Sequence, residues 1–154
     1  MRVFTGLDDL ERAVGQELGV SSWHTVAADR VLAFADATGD HHWLHTSPDR
    51  AAASPFGSLI AHGYLTLALT SAFVEEIYDL EGVAMRVNYG LDKVRFARAV
   101  PVGSRLRGRA VLEQVDRRAG SALVAIKMTV EMTGETQLPA EVVCVARTLT
   151  YVTE

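Results

Sequence analysis

The sequence predicts an α+β domain in which a curved antiparallel sheet wraps around one long buried helix. Three observations predict it. Apolar residues at helical spacing occupy the first half of the chain, and alternating, β-type runs occupy the second. One stretch, "AHGYLTLALTSAFVEEIY" over 61–78, is apolar on most faces and charged only at Glu75 and Glu76 near its end, the pattern of an enclosed helix. The 154 residues, 49 % of them apolar, can build one sizeable core and contain neither a linker nor an internal repeat, so one domain is expected over 1–154.

Taken in order, Leu7, Leu10, Val14 and Leu18 recur at helical spacing and predict a helix over 5–18, ended by the glycine after Leu18. "VSSWHTV" is a short strand. "ADRVLAFADA" over 28–37 is a helix with Val31, Leu32, Phe34 and Ala35 inward, stopped at Thr38-Gly39, where glycine suits a left-handed cap. "TSPDRAAA" opens a further short helix, with Ser47 as N-cap and Pro48 in the first position. The long helix 61–78 comes after it. Four strands come next: "VAMRVNYGLDKVRF", "SRLRGRAVLEQVD", "SALVAIKMTVEM" and "AEVVCVARTLTYV". In the second, Leu106, Gly108, Ala110 and Leu112 alternate with Arg105, Arg107 and Arg109. "RRAGS" is a hairpin turn and "TGETQLP" a looser one, which makes the four strands a meander.

A net charge of −4 without a basic block argues against nucleic acid as a partner. One cysteine, Cys144, leaves no internal disulfide framework, and a reducing cytoplasm is the expected setting. The N-terminal stretch carries acids where a signal peptide needs an apolar run, and no apolar run approaches the roughly 20 residues that span a bilayer, so no membrane anchoring is expected.

"TGDHHWLH" over 38–45 places Asp40, His41, His42 and His45 around Trp43. Three readings fit it. It is a solvated polar loop; or His41 and His45, four apart, join Asp40 around a metal, although the spacing matches no common ligand motif; or Asp40 and His45 form an acid–base pair, which proton transfer near neutral pH requires. The two lie five residues apart, so a regular helix would splay them and only a kinked loop after Gly39 brings them to one cleft. Spacing alone does not decide.

The longer stretch "FADATGDHHWLHTSPDRAAASPFGSLIAHGYLTLAL" resembles the hydratase motif of the MaoC-like, (R)-specific enoyl-CoA hydratases. That motif is approximately Thr-Gly-Asp-x-Asn-Pro-x-His, then Phe-Gly, then Ala-His-Gly opening a long helix. Thr38, Gly39, Asp40, His45, Phe56, Gly57, Ala61, His62 and Gly63 match in order and spacing. "NYGLDKVRF" and "PVGSRLRG" resemble the family's stretch after that helix, so the likeness covers 30–109. His42-Trp43 stands where Asn-Pro is commoner; the branch related to the nodulation protein NodN carries a tryptophan there, which marks a subfamily.

The resemblance implies a hot-dog fold and reversible hydration of trans-2-enoyl-CoA to (R)-3-hydroxyacyl-CoA, with an acyl-CoA thioester as substrate partner and neither metal nor redox cofactor. It maps the catalytic pair to Asp40 and His45, which hold a water between them. It puts Gly63 at the oxyanion, where a backbone N–H at a helix start stabilises charge on the thioester oxygen. Gly63 is otherwise a packing glycine. It places Ser71 near the catalytic carboxylate, unless that hydroxyl bonds its own helix. Asn88 and Tyr89 lie in the next strand and reach for the cleft. Trp43 either shapes the acyl end of the cleft or keeps the catalytic loop rigid, or else packs this loop on the neighbouring subunit. His62 is read as structural, His41 and His42 as loop residues, and His24 as without a role. Lys93, Arg95 and Arg98 meet CoA phosphates or form a solvated sheet face. The family commonly dimerises by joining sheets edge to edge, so a homodimer is expected. Three other activities are weighed: a 3-hydroxyacyl-ACP dehydratase, using the same chemistry in reverse; a thioesterase, disfavoured because Glu75 and Glu76 lie at the far end of the helix; and a non-catalytic acyl-CoA-binding module, disfavoured by the intact pair.

Overall fold

The computed structural model describes residues 1–134 and 140–154. Helices fill the first half and long strands the second, as the two apolar periods require. Strand β1 (Arg2–Thr5) leads into helix α1 (Gly6–Glu11), β2 (Glu17–Val20) and the two-residue β3 (His24–Thr25). Helices α2 (Ala28–Thr38), α3 (Trp43–Thr46), α4 (Pro48–Ala52) and α5 (Gly63–Ile77) come next, then β4 (Tyr78–Glu81), β5 (Met85–Phe96), β6 (Arg105–Arg118), β7 (Ser121–Thr133) and β8 (Glu141–Thr153). The six-stranded sheet runs β2-β6-β7-β8-β5, with β3 also paired to β6, and all its pairs are antiparallel. Helix α5 lies across this sheet and buries Leu65, Thr66, Thr70, Phe73 and Ile77.

The arginine alternation holds. Leu106, Ala110 and Leu112 are fully buried beneath the helix, while Arg107 and Arg109 turn to the other face and share Glu131 at 2.7 and 2.9 Å. Gly108 belongs to the inward row. A Cβ there would stand 2.7 Å from the Cβ of Phe73 and 2.9 Å from Cε of Met128, so its missing side chain lets α5 settle onto the sheet.

Four expectations need correction. The first helix ends at Glu11, and Leu18 belongs to strand β2; Gly15 takes φ 85°, a left-handed conformation that breaks helical continuation. Leu32 faces outward at 47 % exposure, leaving Val31 and Ala35 as the buried face of α2. The last four strands are not a meander. Segment 97–104 carries the chain away from β5 to begin β6, and β5 instead pairs with β8 at the far edge. Helix α5 is also not enclosed all round: Tyr64, Ala68, Ser71 and Ala72 lie on an exposed face. The looser turn expected at "TGETQLP" falls mainly on 135–139, outside the described residues.

A parallel pair, β1 with β4, closes one end of the core, burying Phe4 beside Tyr78. Near the C-terminal end of α5, Glu76 accepts hydrogen bonds from the Ser22 N–H and hydroxyl at 2.8 and 2.6 Å and meets His24 Nε2 at 2.5 Å. His24 therefore ties the helix to the segment around β3. Among the described residues, no helix is long and apolar enough to cross a membrane.

Candidate active site

The loop between α2 and α3 is built by local hydrogen bonds. Gly39 caps α2 in the left-handed region at φ 75°, its N–H returning to the Ala35 carbonyl. Thr38 Oγ1 donates to the Phe34 carbonyl at 2.7 Å. Asp40 Oδ1 accepts the His42 N–H at 3.3 Å, the Asx-type turn that reverses the chain before α3. Thr46 Oγ1 reaches back to the carbonyls of His41 and His42, both at 3.2 Å. The kink needed to bring Asp40 toward His45 is thus specified by Gly39, Asp40 and Thr46.

His45 is held by the segment that precedes α5. Its Nδ1 donates to the Ile60 carbonyl at 2.7 Å, and the Ile60 N–H donates to Leu44 O at 3.1 Å. A carbonyl only accepts, so Nδ1 carries the hydrogen and Nε2 keeps its lone pair free to take a proton. Burial lowers the pKa of His45; the Ile60 hydrogen bond opposes that, and the neighbouring His62 adds to the lowering.

His62 completes the cluster. It is the residue before Gly63 and nearly fully buried. Its ring stacks on His45 with centroids 3.7 Å apart and planes 28° apart. Its Nε2 donates to the Asp40 carbonyl at 2.9 Å and lies 4.0 Å from the Asp40 carboxylate. One donor atom from each of Asp40, His45 and His62 lies within 4.8 Å of the others. A water making two hydrogen bonds of about 2.8 Å at a tetrahedral angle bridges about 4.6 Å, so this separation suits a water held between carboxylate and imidazole. The trio also has the residue types of a metal site. His62 Nε2, however, is already engaged as a donor to the Asp40 carbonyl, so that nitrogen is not free to bind a metal.

A cleft of about 380 Å³ opens beside His45, lined also by Phe56, Ile60, Gly63, Phe96 and Arg98. Gly63 is the first residue of α5, where a backbone N–H has no intrahelical acceptor. A Cβ on Gly63 would stand 3.2 Å from the Phe96 ring, so the space left by its missing side chain is filled by Phe96.

The structure brings Asp40, His45 and Gly63 to one region. It does not bring Ser71, Asn88 and Tyr89 there within a single chain: these line a separate groove between α5 and β5. Eight residues separate Gly63 from Ser71, about 12 Å along a helix. Trp43 is half-buried, faces His42, and carries the Arg50 guanidinium 4.8 Å over its ring, outside the lining of the cleft. Trp43→Ala is therefore expected to lower the melting temperature and to reduce kcat/KM by the same factor for short and long acyl chains. Steady-state kinetics on a series of enoyl-CoA substrates checks this, and a change in the ratio between chain lengths would place the ring in the cleft. His41 lies 3.6 Å from Asp36 on the surface, and His42 accepts the Leu44 N–H at the start of α3. Sequence reasoning missed the Ile60 carbonyl, Phe96 and the reach of His62; the only signal for the last was its place in Ala-His-Gly.

The family profile described as MaoC like domain matches residues 9–136. The chain belongs to the MaoC-like family. Relatives span its length: the 3-hydroxyacyl-thioester dehydratase Z of Mycobacterium tuberculosis is 45 % identical over 150 residues, covering 97 % of each chain. Nodulation protein N of Rhizobium leguminosarum is 48 % identical over 132 residues, covering 84 % of this chain and 82 % of the relative. Among solved structures, a monoamine oxidase regulatory protein from Archaeoglobus superposes with a TM-score of 0.80 at 24 % identity, covering 99 % of this chain and 97 % of that one. The unliganded R-hydratase of Pseudomonas aeruginosa superposes with a TM-score of 0.69 at 23 % identity, covering 92 % and 82 %. This MaoC-like chain has the hot-dog fold, and its family is one of hydratases and dehydratases.

Proposed function

We propose that the chain catalyses the reversible, (R)-specific hydration of trans-2-enoyl-CoA to (R)-3-hydroxyacyl-CoA, with Asp40 and His45 as the acid–base pair. One observation carries the reading: the Nδ1–H of His45 is committed to Ile60, which leaves Nε2 as its free base, and the His45 ring lies near the Asp40 carboxylate and lines the cleft. A water held by both gives a proton to His45 and its oxygen to C3 of the enoyl thioester, and the same pair returns a proton to C2. Negative charge developing on the thioester oxygen meets the Gly63 N–H, which has no intrahelical acceptor, and the positive end of α5. Dehydration runs the same steps backwards.

The test is turnover of crotonyl-CoA with chiral analysis of the product. A product mainly of (R) configuration supports the reading; one mainly of (S) configuration rejects it. The name of the Mycobacterium tuberculosis relative specifies a thioester but no carrier, so the same acyl group is also offered on acyl carrier protein. A much larger kcat/KM on the protein carrier would move the assignment to a 3-hydroxyacyl-ACP dehydratase.

The proposal includes a homodimer. Strand β5 is an outer strand whose Met85, Val87, Tyr89 and Leu91 are exposed beside the bare face of α5 with Tyr64. An apolar outer strand next to an apolar helix face invites a second copy. Light scattering at micromolar concentration is expected to give twice the chain mass of 16.7 kDa; the mass of a single chain would count against it.

A further inference from the structure

We propose that His62 is a positioning residue: its buried imidazole, stacked on His45 and hydrogen-bonded to the Asp40 carbonyl, holds the acid–base pair in register. The inference rests on the pair assigned above and extends it to a third residue, one that meets neither the water nor the substrate.

The ring is held by two aromatic neighbours and by a hydrogen bond at Nε2. His45 covers one region of it at 3.7 Å and Phe34 approaches at 5.0 Å. Its Nε2–H goes to the Asp40 carbonyl at 2.9 Å. It is the N-cap residue of α5, yet its side chain makes no capping hydrogen bond and turns instead toward the loop. One short-range link therefore joins three separate pieces of backbone: the loop carrying Asp40, the turn carrying His45, and the helix whose first residue is Gly63.

The chemistry of the site argues against a mere filler. Among the described residues, the buried Nδ1 of His62 has no hydrogen-bond partner. An unpaired buried polar atom is costly, and a hydrocarbon ring of similar size would avoid that cost. An imidazole is favoured here for what its other nitrogen and its face do: Nε2 sets the Asp40 backbone, and the stacked face sets the plane of His45 and hence the direction of its free lone pair. Small misplacements of such groups cost rate without weakening substrate binding.

Two variants separate these contributions. His62→Phe keeps a ring against His45 and loses the donor; His62→Gln keeps a donor and loses the ring. Both are measured on crotonyl-CoA beside Asp40→Asn and His45→Gln, together with circular dichroism and the pH dependence of kcat/KM. Each His62 variant is expected to fold and to lose about 10- to 10²-fold in kcat with KM nearly unchanged. The groups that act on His45 by charge are His62, Asp40 and His42. Removing the His62 contribution, which lowers the His45 pKa, moves the acid limb of the profile to higher pH. A purely structural residue would lower the melting temperature and leave that limb in place. Folded variants with wild-type kcat and an unmoved limb overturn the inference, and so does loss of fold in both. If those wild-type-like variants accompany inactive Asp40→Asn and His45→Gln, the inference alone fails. If Asp40→Asn and His45→Gln are themselves active, the acid–base reading fails.

Discussion

Asp40→Asn and His45→Gln are each expected to fold normally and to lower kcat by at least about 10²-fold, the lower range for removal of an acid–base group. Both substitutions spare the scaffold. Asparagine still offers an oxygen to the His42 N–H that Asp40 accepts at 3.3 Å, so the turn survives. Glutamine can still donate an amide hydrogen to the Ile60 carbonyl that His45 meets at 2.7 Å. What each variant loses is the ability to take or deliver a proton. The wild-type pH profile adds a second check. Burial sets the pKa of His45 below its usual value. A base must be unprotonated to act, so activity governed by His45 falls as pH drops through that lowered pKa and keeps its plateau below the ordinary histidine range near 6.5. Near-wild-type turnover by either variant, measured on a protein with native circular dichroism, would falsify the assignment.

Gly108→Ala is expected to destabilise the fold by about 1–3 kcal/mol, the usual cost of forcing one extra carbon into a filled core. The added carbon would stand 2.7 Å from Cβ of Phe73 and 2.8 Å from its Cδ2. Met128 Cε, at 2.9 Å, can swing aside because it ends a flexible side chain. The Phe73 Cβ cannot: it is fixed to the backbone of α5, so relief requires the helix to lift from the sheet. Thermal unfolding reads this directly, since a domain of this size loses about 2–4 °C per kcal/mol. An unchanged melting temperature would mean that the helix seat is looser than these distances imply.

The strands and the long helix are legible because their periods are long and unmixed. Leu106, Ala110 and Leu112 against the three arginines leave no other reading of β6. The loop was legible through its motif, since Gly39, Asp40 and His45 recur there in fixed order. Other features depend on non-local geometry. Leu18 fits both a helical row from Leu7 and a short strand, and only the backbone at Gly15 decides. The edge position of β5 depends on where segment 97–104 crosses the fold, and adjacency in sequence points to a meander instead. The apolar surround of α5 reads as enclosure, yet in one chain part of it is bare. His62 could be placed at a helix start, but the direction in which its ring turns is set by Asp40, 22 residues earlier.

The pairing of β5 with β8 also bears on the order in which the molecule can be assembled. Phe96 lies opposite Cys144, and Met85 opposite Thr153. As the chain leaves the ribosome, β5 emerges well before its partner, and β6 and β7 can close their hairpin in the meantime. Until the residues of β8 arrive, β5 has no sheet to join, and its Val87, Leu91 and Phe96 are free to meet other nascent chains. Closing so distant a pair is slow, because loop entropy is lost before the ladder forms. The strand bearing the ring that covers Gly63 thus docks among the last elements, and the cleft takes shape only in the closing stage of synthesis.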